Sequence, residues 1–96
     1  MIKFATACGS GLGSSFMLEM NIETVLKELK IDSSQVEVEH YDMGSTAFGL
    51  ADVWFVGADL EDAAKDLGDV RVLKSIIDMN ELREKVKQAC KDKGLI

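Results

Sequence analysis

No proline interrupts these 96 residues. No linker, internal repeat or low-complexity tract divides them, so a single domain spanning 1–96 is expected, near the small end of what folds alone. Cysteine is nearly absent: Cys8 and Cys90 have no CxxC or Cys/His spacing, which argues against a disulfide framework and against a zinc site. Basic residues are outnumbered, with 11 Lys and Arg against 17 Asp and Glu and a formal charge of −6. A nucleic-acid binder needs clustered cations, so that class is disfavoured. The cluster Lys85, Lys87, Lys91 and Lys93 reads instead as the last turns of a helix, where cations complement the dipole. No apolar run approaches the roughly 18 residues of a membrane span. The start, MIKFATACG, has no basic region followed by a long apolar stretch and cleavage site. A cytosolic protein is expected.

What is present is patterned. An apolar fraction of 47% suffices for a core. Residues 2–7 read as a short, mostly apolar strand, and residues 14–30 as a helix with its stripe at Leu18, Ile22, Val25, Leu26 and Leu29. Residues 36–41 alternate, as a strand with one wet face does. Residues 53–57 are apolar throughout, as a strand buried on both faces would be. Residues 70–73 form a shorter alternating strand. Residues 59–67 predict a short helix with Asp59 as N-cap and Gly68 as its stop. Asp78-Met79-Asn80-Glu81 resembles a capping box opening a last helix that buries Leu82, Val86, Ala89 and Cys90. Residues 42–51 read as a loop or a poor short helix, weakened by Gly44 and Gly49.

That order implies a three-layer α/β sandwich around a four-stranded parallel sheet, Rossmann/flavodoxin-like in form. The two apolar strands belong in the centre and the alternating ones at the edges. Right-handed crossovers then give strand order 2-1-3-4. The crevice of such a sheet lies where the chain reverses direction, at the carboxyl ends of strands 1 and 3. Cys8 falls there.

The stretch Cys8-Gly9-Ser10-Gly11-Leu12-Gly13-Ser14-Ser15 follows the first strand and is almost bare of side chains. Its glycines allow the main chain to turn N–H groups inward, and Ser14 or Ser15 can cap the helix that follows. The result is an anion cradle of backbone amides at a helix N-terminus. A sulfur at its entrance is favoured as thiolate. Each such helix-end interaction is worth about 0.3–1 kcal/mol, rising to about 2 when partly buried.

Other glycine loops fail on particular positions. A dinucleotide fingerprint starting at Gly9 needs glycine where Ser14 stands, and a nucleoside-triphosphate loop needs a lysine before Ser14. A flavodoxin has the length to sandwich a flavin ring, which this chain lacks, and a receiver domain wants an acidic pair after strand 1. A cysteine phosphatase would place arginine at position 14, but the only arginines are Arg71 and Arg83. Without that bidentate cation the site lacks a clamp for the transition state of hydrolysis. A sulfur that can take phosphate but is ill equipped to give it to water suits a relay.

The strand ending in Cys8, the Gly-Ser-Gly-Leu-Gly-Ser-Ser loop and the apolar helix resemble the IIB component of the bacterial phosphoenolpyruvate-dependent sugar phosphotransferase system. The form Cys8-Gly9-x-Gly11-x-Gly13-Ser14-Ser15 is most similar to the ascorbate-type branch of the lactose/ascorbate-like IIB proteins, and Asp42-Met43-Gly44-Ser45 echoes that branch more weakly. The resemblance implies a phosphatase-like loop with Cys8 as the phosphocysteine nucleophile. It makes Gly9, Ser10, Gly11, Leu12, Gly13 and Ser14 the phosphate cradle and Ser15 a further cap or hydroxyl donor. It implies a IIA phosphohistidine as donor, a carbohydrate acceptor moved by a membrane IIC component with which the chain associates peripherally, and no cofactor or metal. In this arrangement IIC recognises the sugar and IIB carries little of the specificity; the motif points to ascorbate, with another carbohydrate or a polyol left open. Two other readings stay open. One is a phosphatase-like or reductase-like thiol enzyme, disfavoured by Ser14 and by the absence of a second cysteine near the loop; the other is a silent module binding a free anion.

Three further features are expected to be ordinary. His40 reads as a surface histidine ending an edge strand rather than a general base or second phosphoryl carrier, Asp59 as a cap rather than an acid approaching Cys8, and Cys90 as core. Leu12, Phe16, Met17 and Met20 are either core or an exposed apolar rim for a docking partner.

Overall fold

The computed structural model describes residues 2–8 and 12–96, with the backbone alone for Cys8, residues 12–15 and Met43. Four strands alternate with helical segments: β1 (Ile2–Cys8), α1 (Leu12–Glu28), β2 (Val36–Asp42), β3 (Val53–Gly57), α2 (Glu61–Ala64), β4 (Val70–Leu73) and α3 (Met79–Asp92). Short 3₁₀ turns at Met43–Ser45 and Ala58–Leu60 follow β2 and β3. All the strand pairings are parallel and the order is β2-β1-β3-β4, as right-handed crossovers require. The alternating strands are the edges and the apolar ones the centre.

The larger core lies on the face that carries α1 and α3. There Phe4, Val53, Phe55 and Leu73 from the sheet meet Leu18, Ile22 and Val25 of α1 and Leu82, Val86, Ala89 and Cys90 of α3. Phe4 and Phe55 meet edge to face at 5.4 Å, a geometry that adds to their area burial. The other face is thinner. The β2–β3 connection carries no α-helix, and the four residues of α2 are the only α-helix on that side among the described residues. Trp54 compensates. It lies among Ala5, Ala7, Val56, Ala64 and Leu67, and its ring comes within 5.5 Å of Tyr41 on the far side of β1. Ala5 pairs with Trp54 in register, and only a small residue there leaves room for the indole to reach across the strand. The connection is pinned at its return: the Lys3 N–H donates to Asp52 Oδ2 and the Asp52 N–H to the Lys3 carbonyl, both at 2.8 Å.

Both long helices end the same way. In α3 the Leu95 N–H donates to the Cys90 carbonyl at 2.8 Å and the Gly94 N–H to the Lys91 carbonyl at 3.1 Å, with Gly94 at φ 78. This is a Schellman closure with glycine in its usual place. In α1 the Ile31 N–H reaches the Leu26 carbonyl and the Lys30 N–H the Lys27 carbonyl, both at 3.0 Å, but the left-handed residue is Lys30 at φ 60. The expected helix over residues 14–30 therefore starts two residues earlier and stops at Glu28, because its last turn is spent on the closure.

Two expectations about helix starts are corrected. The segment 59–67 is not one helix capped by Asp59. A 3₁₀ turn begins after Gly57, α2 begins after Leu60, and neither start has a side-chain cap. Gly68 does take a left-handed conformation, φ 114, with the Phe48 ring against it. Asp78 caps α3 as expected, accepting from the N–H groups of Asn80 at 3.0 Å and Glu81 at 3.2 Å. Glu81, however, does not close the capping box. It accepts from the Lys74 N–H at 2.8 Å and the Ser75 N–H at 3.1 Å, bracing the turn after β4. Those amides offer two hydrogen bonds where the box offers one, and they hold its carboxyl below the usual range.

Candidate functional site

Cys8 is the last residue of β1, a central strand. Asp42 of β2 is its register partner, and on the other side Ala7 pairs with Val56, which brings Gly57 abreast of Cys8. This is the topological switch point of the sheet, the place where parallel α/β folds bind ligands. Three residues, Gly9, Ser10 and Gly11, connect it to α1; the cradle role expected of them lies outside the described residues.

Leu12, Gly13, Ser14 and Ser15 form the first turn of α1. The serines, expected to stand ahead of the helix as caps, are instead its third and fourth residues. The first four amides of a helix have no acceptor within it, so this turn presents donors and the positive end of the dipole towards the close of β1. It contains no acidic residue, and nothing inside the turn offsets that charge.

Both arginines are held elsewhere. Arg71 is clamped by Asp69 at 2.7 and 2.9 Å and by Asp92 at 3.0 Å, and Lys93 joins Asp69 at 3.2 Å. Arg83 of α3 pairs with Glu28 at the far end of α1 at 2.9 Å. With both arginines engaged, the bidentate clamp of a cysteine phosphatase is lacking in structure as well as in sequence.

His40 departs from expectation. It lies inside β2, which continues to Asp42, and it is half-buried rather than free on the surface. Its Nδ1 is 2.7 Å from Glu19 Oε1 and its ring stacks on Phe16, centroids 5.4 Å apart and planes at 23°. These contacts tie the first turns of α1 to the edge strand two positions below the level of Cys8. A histidine 21 residues from its glutamate offered no sequence signal for this pairing.

Of the apolar residues expected as core or rim, Leu12 has its side chain outside the described residues and the other three are exposed. Phe16 is 50% exposed, Met17 39% and Met20 54%, while Leu18 beside them is buried. Ile77, in the turn after β4 at the same end of the sheet, is also exposed. Cys90 is fully buried among core side chains, and burial pushes its thiol up to about 11. Among the described residues no helix is long and apolar enough to cross a membrane.

The family model for the PTS system, Lactose/Cellobiose specific IIB subunit, matches residues 3–88, which takes in β1 from its second residue, β2, β3, β4, α1, α2 and most of α3. No curated protein matches the chain.

Proposed function

The chain belongs to the PTS lactose/cellobiose-specific IIB family, phosphotransfer subunits of sugar-transporting phosphotransferase systems, and from that membership we propose that Cys8 is the residue that carries the phosphoryl group. The observation that carries this reading is the placement of Cys8 at the switch point of the sheet, just before a helix start that has no acidic residue of its own.

In the first step the Cys8 thiolate attacks the phosphorus of a IIA phosphohistidine; a P–S bond forms as the P–N bond breaks. In the second the phosphoryl group passes to a hydroxyl of a carbohydrate held by membrane IIC, and the sulfur returns to thiolate. Gly9, Ser10, Gly11, Leu12, Gly13 and Ser14 hold the phosphoryl oxygens through their amides, with Ser15 as a further donor. Such transfer needs little covalent help from the protein and depends on positioning and electrostatics. The chain works in the cytosol, against the inner face of IIC. Ascorbate is the proposed acceptor, on the form of the loop from Cys8 to Ser15. The phosphatase-like alternative gains no support, since it needs an arginine clamp and both arginines are paired elsewhere.

Intact mass after incubation with phosphoenolpyruvate, the general phosphotransferase proteins and IIA is the test. One added phosphoryl group, absent in Cys8→Ser, supports the relay. Release of phosphate from an aryl phosphate by the chain alone would replace it with a hydrolase. Discharge of the loaded chain by membranes containing IIC, with ascorbate, lactose and cellobiose compared, identifies the acceptor.

A further inference from the structure

Gly57 ends β3 abreast of Cys8, and its lack of a side chain has a local cause. A Cβ on Gly57 would lie 2.7 Å from Asp59 Oδ1 and 3.3 Å from Ile76 Cγ2. The Asp59 carboxylate is therefore folded back over the strand end, in space that any side chain at position 57 would take. Strand alternation fixes the face. Val53 and Phe55 belong to the core under α1 and α3, and position 57 continues their series. The carboxylate thus stands at the switch point, on the α1/α3 face of the sheet, at the level in the strand register where β1 ends in Cys8, one strand away.

Asp59 is an acidic residue in the first turn of the 3₁₀ segment, but among the described residues no side-chain hydrogen bond holds it there. Asp59 caps neither the 3₁₀ turn nor α2. It is exposed, and no ion pair ties it among the described residues. Asp42, on the opposite side of Cys8, differs: its Oδ1 turns towards Gly44 in the turn after β2, 3.2 Å from where a Cβ would stand.

We propose that Asp59 is the general base of the second half-reaction, a role that rests on the phosphocysteine reading of Cys8. The two transfers differ in their protons. A thiolate attacking a phosphohistidine has no proton to lose. A carbohydrate hydroxyl attacking phosphocysteine has one. As its oxygen bonds to phosphorus, the P–S bond breaks, the electron pair returns to Sγ, and the hydroxyl proton passes to an Asp59 carboxylate oxygen and from there to water. A carboxylate orienting the attacking hydroxyl is a recurring part of phosphoryl-transfer sites. Donation to an alcohol thus has a dedicated proton acceptor, while loading requires none.

The test separates the two half-reactions. The chain is loaded with labelled phosphate through IIA, then mixed with membranes containing IIC and ascorbate, lactose or cellobiose, using whichever discharges the wild-type chain. Asp59→Asn is expected to load Cys8 at the wild-type rate and to discharge roughly a hundredfold more slowly at saturating sugar. Asp59→Glu should recover part of the loss. Gly57→Ala, which leaves the carboxylate intact but displaces it, should reproduce the selective defect, whereas Glu61→Gln, a charge-matched change in α2, should not. Normal loading in each variant doubles as evidence of folding. Wild-type discharge by Asp59→Asn, or an equal loss in both half-reactions, would overturn the assignment. A wild-type chain that never takes phosphate on Cys8 overturns the relay itself, at an earlier step.

Discussion

Glu19 and His40 meet across the top of α1 and β2, Oε1 and Nδ1 2.7 Å apart, with the Phe16 ring stacked on the imidazole. Because Thr6 of β1 is the register partner of His40, this contact fixes the start of α1 against the strand beside the one that ends in Cys8.

Removing the imidazole should therefore loosen the helix start. His40→Ala is expected to cost about 1–2 kcal/mol, since it strips a hydrogen-bond partner from a carboxylate that is itself largely buried. The midpoint of urea unfolding measures the loss. A double-mutant cycle with Glu19→Gln should return a coupling of about 0.5–1 kcal/mol, whereas additivity would mean that the two side chains stabilise the fold independently.

The two cysteines should separate cleanly by reactivity. Burial holds the Cys90 thiol near 11, far above neutrality, so it stays protonated and inaccessible. In Cys8→Ser, iodoacetamide at neutral pH should leave the native protein unlabelled and modify one thiol once urea unfolds it. Labelling of the native variant would show that the α3 face opens readily.

Lys30 occupies a left-handed position, φ 60. That conformation strains a side chain by about 1–2 kcal/mol, while glycine costs back about 0.5–1 kcal/mol in unfolded-state freedom. Lys30→Gly should then gain about 0.5–1 kcal/mol, visible as a rise in Tm of about 2–6 °C. The equivalent position after α3 is already Gly94, and Gly94→Ala should be destabilising.

Acid should weaken the fold through two carboxylates. The Arg71 guanidinium, with Lys93, holds Asp69 below its ordinary value, and the Lys74 and Ser75 amides do the same for Glu81. Both are depressed, so the stability they contribute is complete above the ordinary carboxylate range and is lost as pH falls through their lower folded values. Urea midpoints measured from pH 6 downward should decline across that window. Asp69→Asn should be less stable than wild type at pH 6, by about 1 kcal/mol given its partial exposure. That gap should narrow in acid.

Much of this molecule can be read from local spacing. Residues 53–57 are uninterruptedly apolar and proved to be a strand buried on both sides, while the alternating residues 36–41 and 70–73 proved to be edges. The stripe from Leu18 to Leu26 predicted the buried side of α1, and Asp78 was correctly placed as a cap. The failures are of another kind. Glu81 fits a capping box by spacing yet bonds to Lys74 and Ser75; Asp59 fits a cap and caps nothing. Glu81 left its local partner for two amides supplied by the path of the chain, while at Asp59 the chain had already entered a 3₁₀ turn after Gly57, so no helix starts where the cap was expected.

Sequence alone determined which residues are strand or helix, the order of the sheet and the candidacy of Cys8, because periodicity, chirality and the bare glycine loop are properties of neighbours along the chain. Only the tertiary structure decided that His40 answers Glu19, that both arginines are tied up, and that Asp59 rests over the end of β3. Those facts depend on register between strands and on the space left at their ends, which is set by residues far apart in the chain.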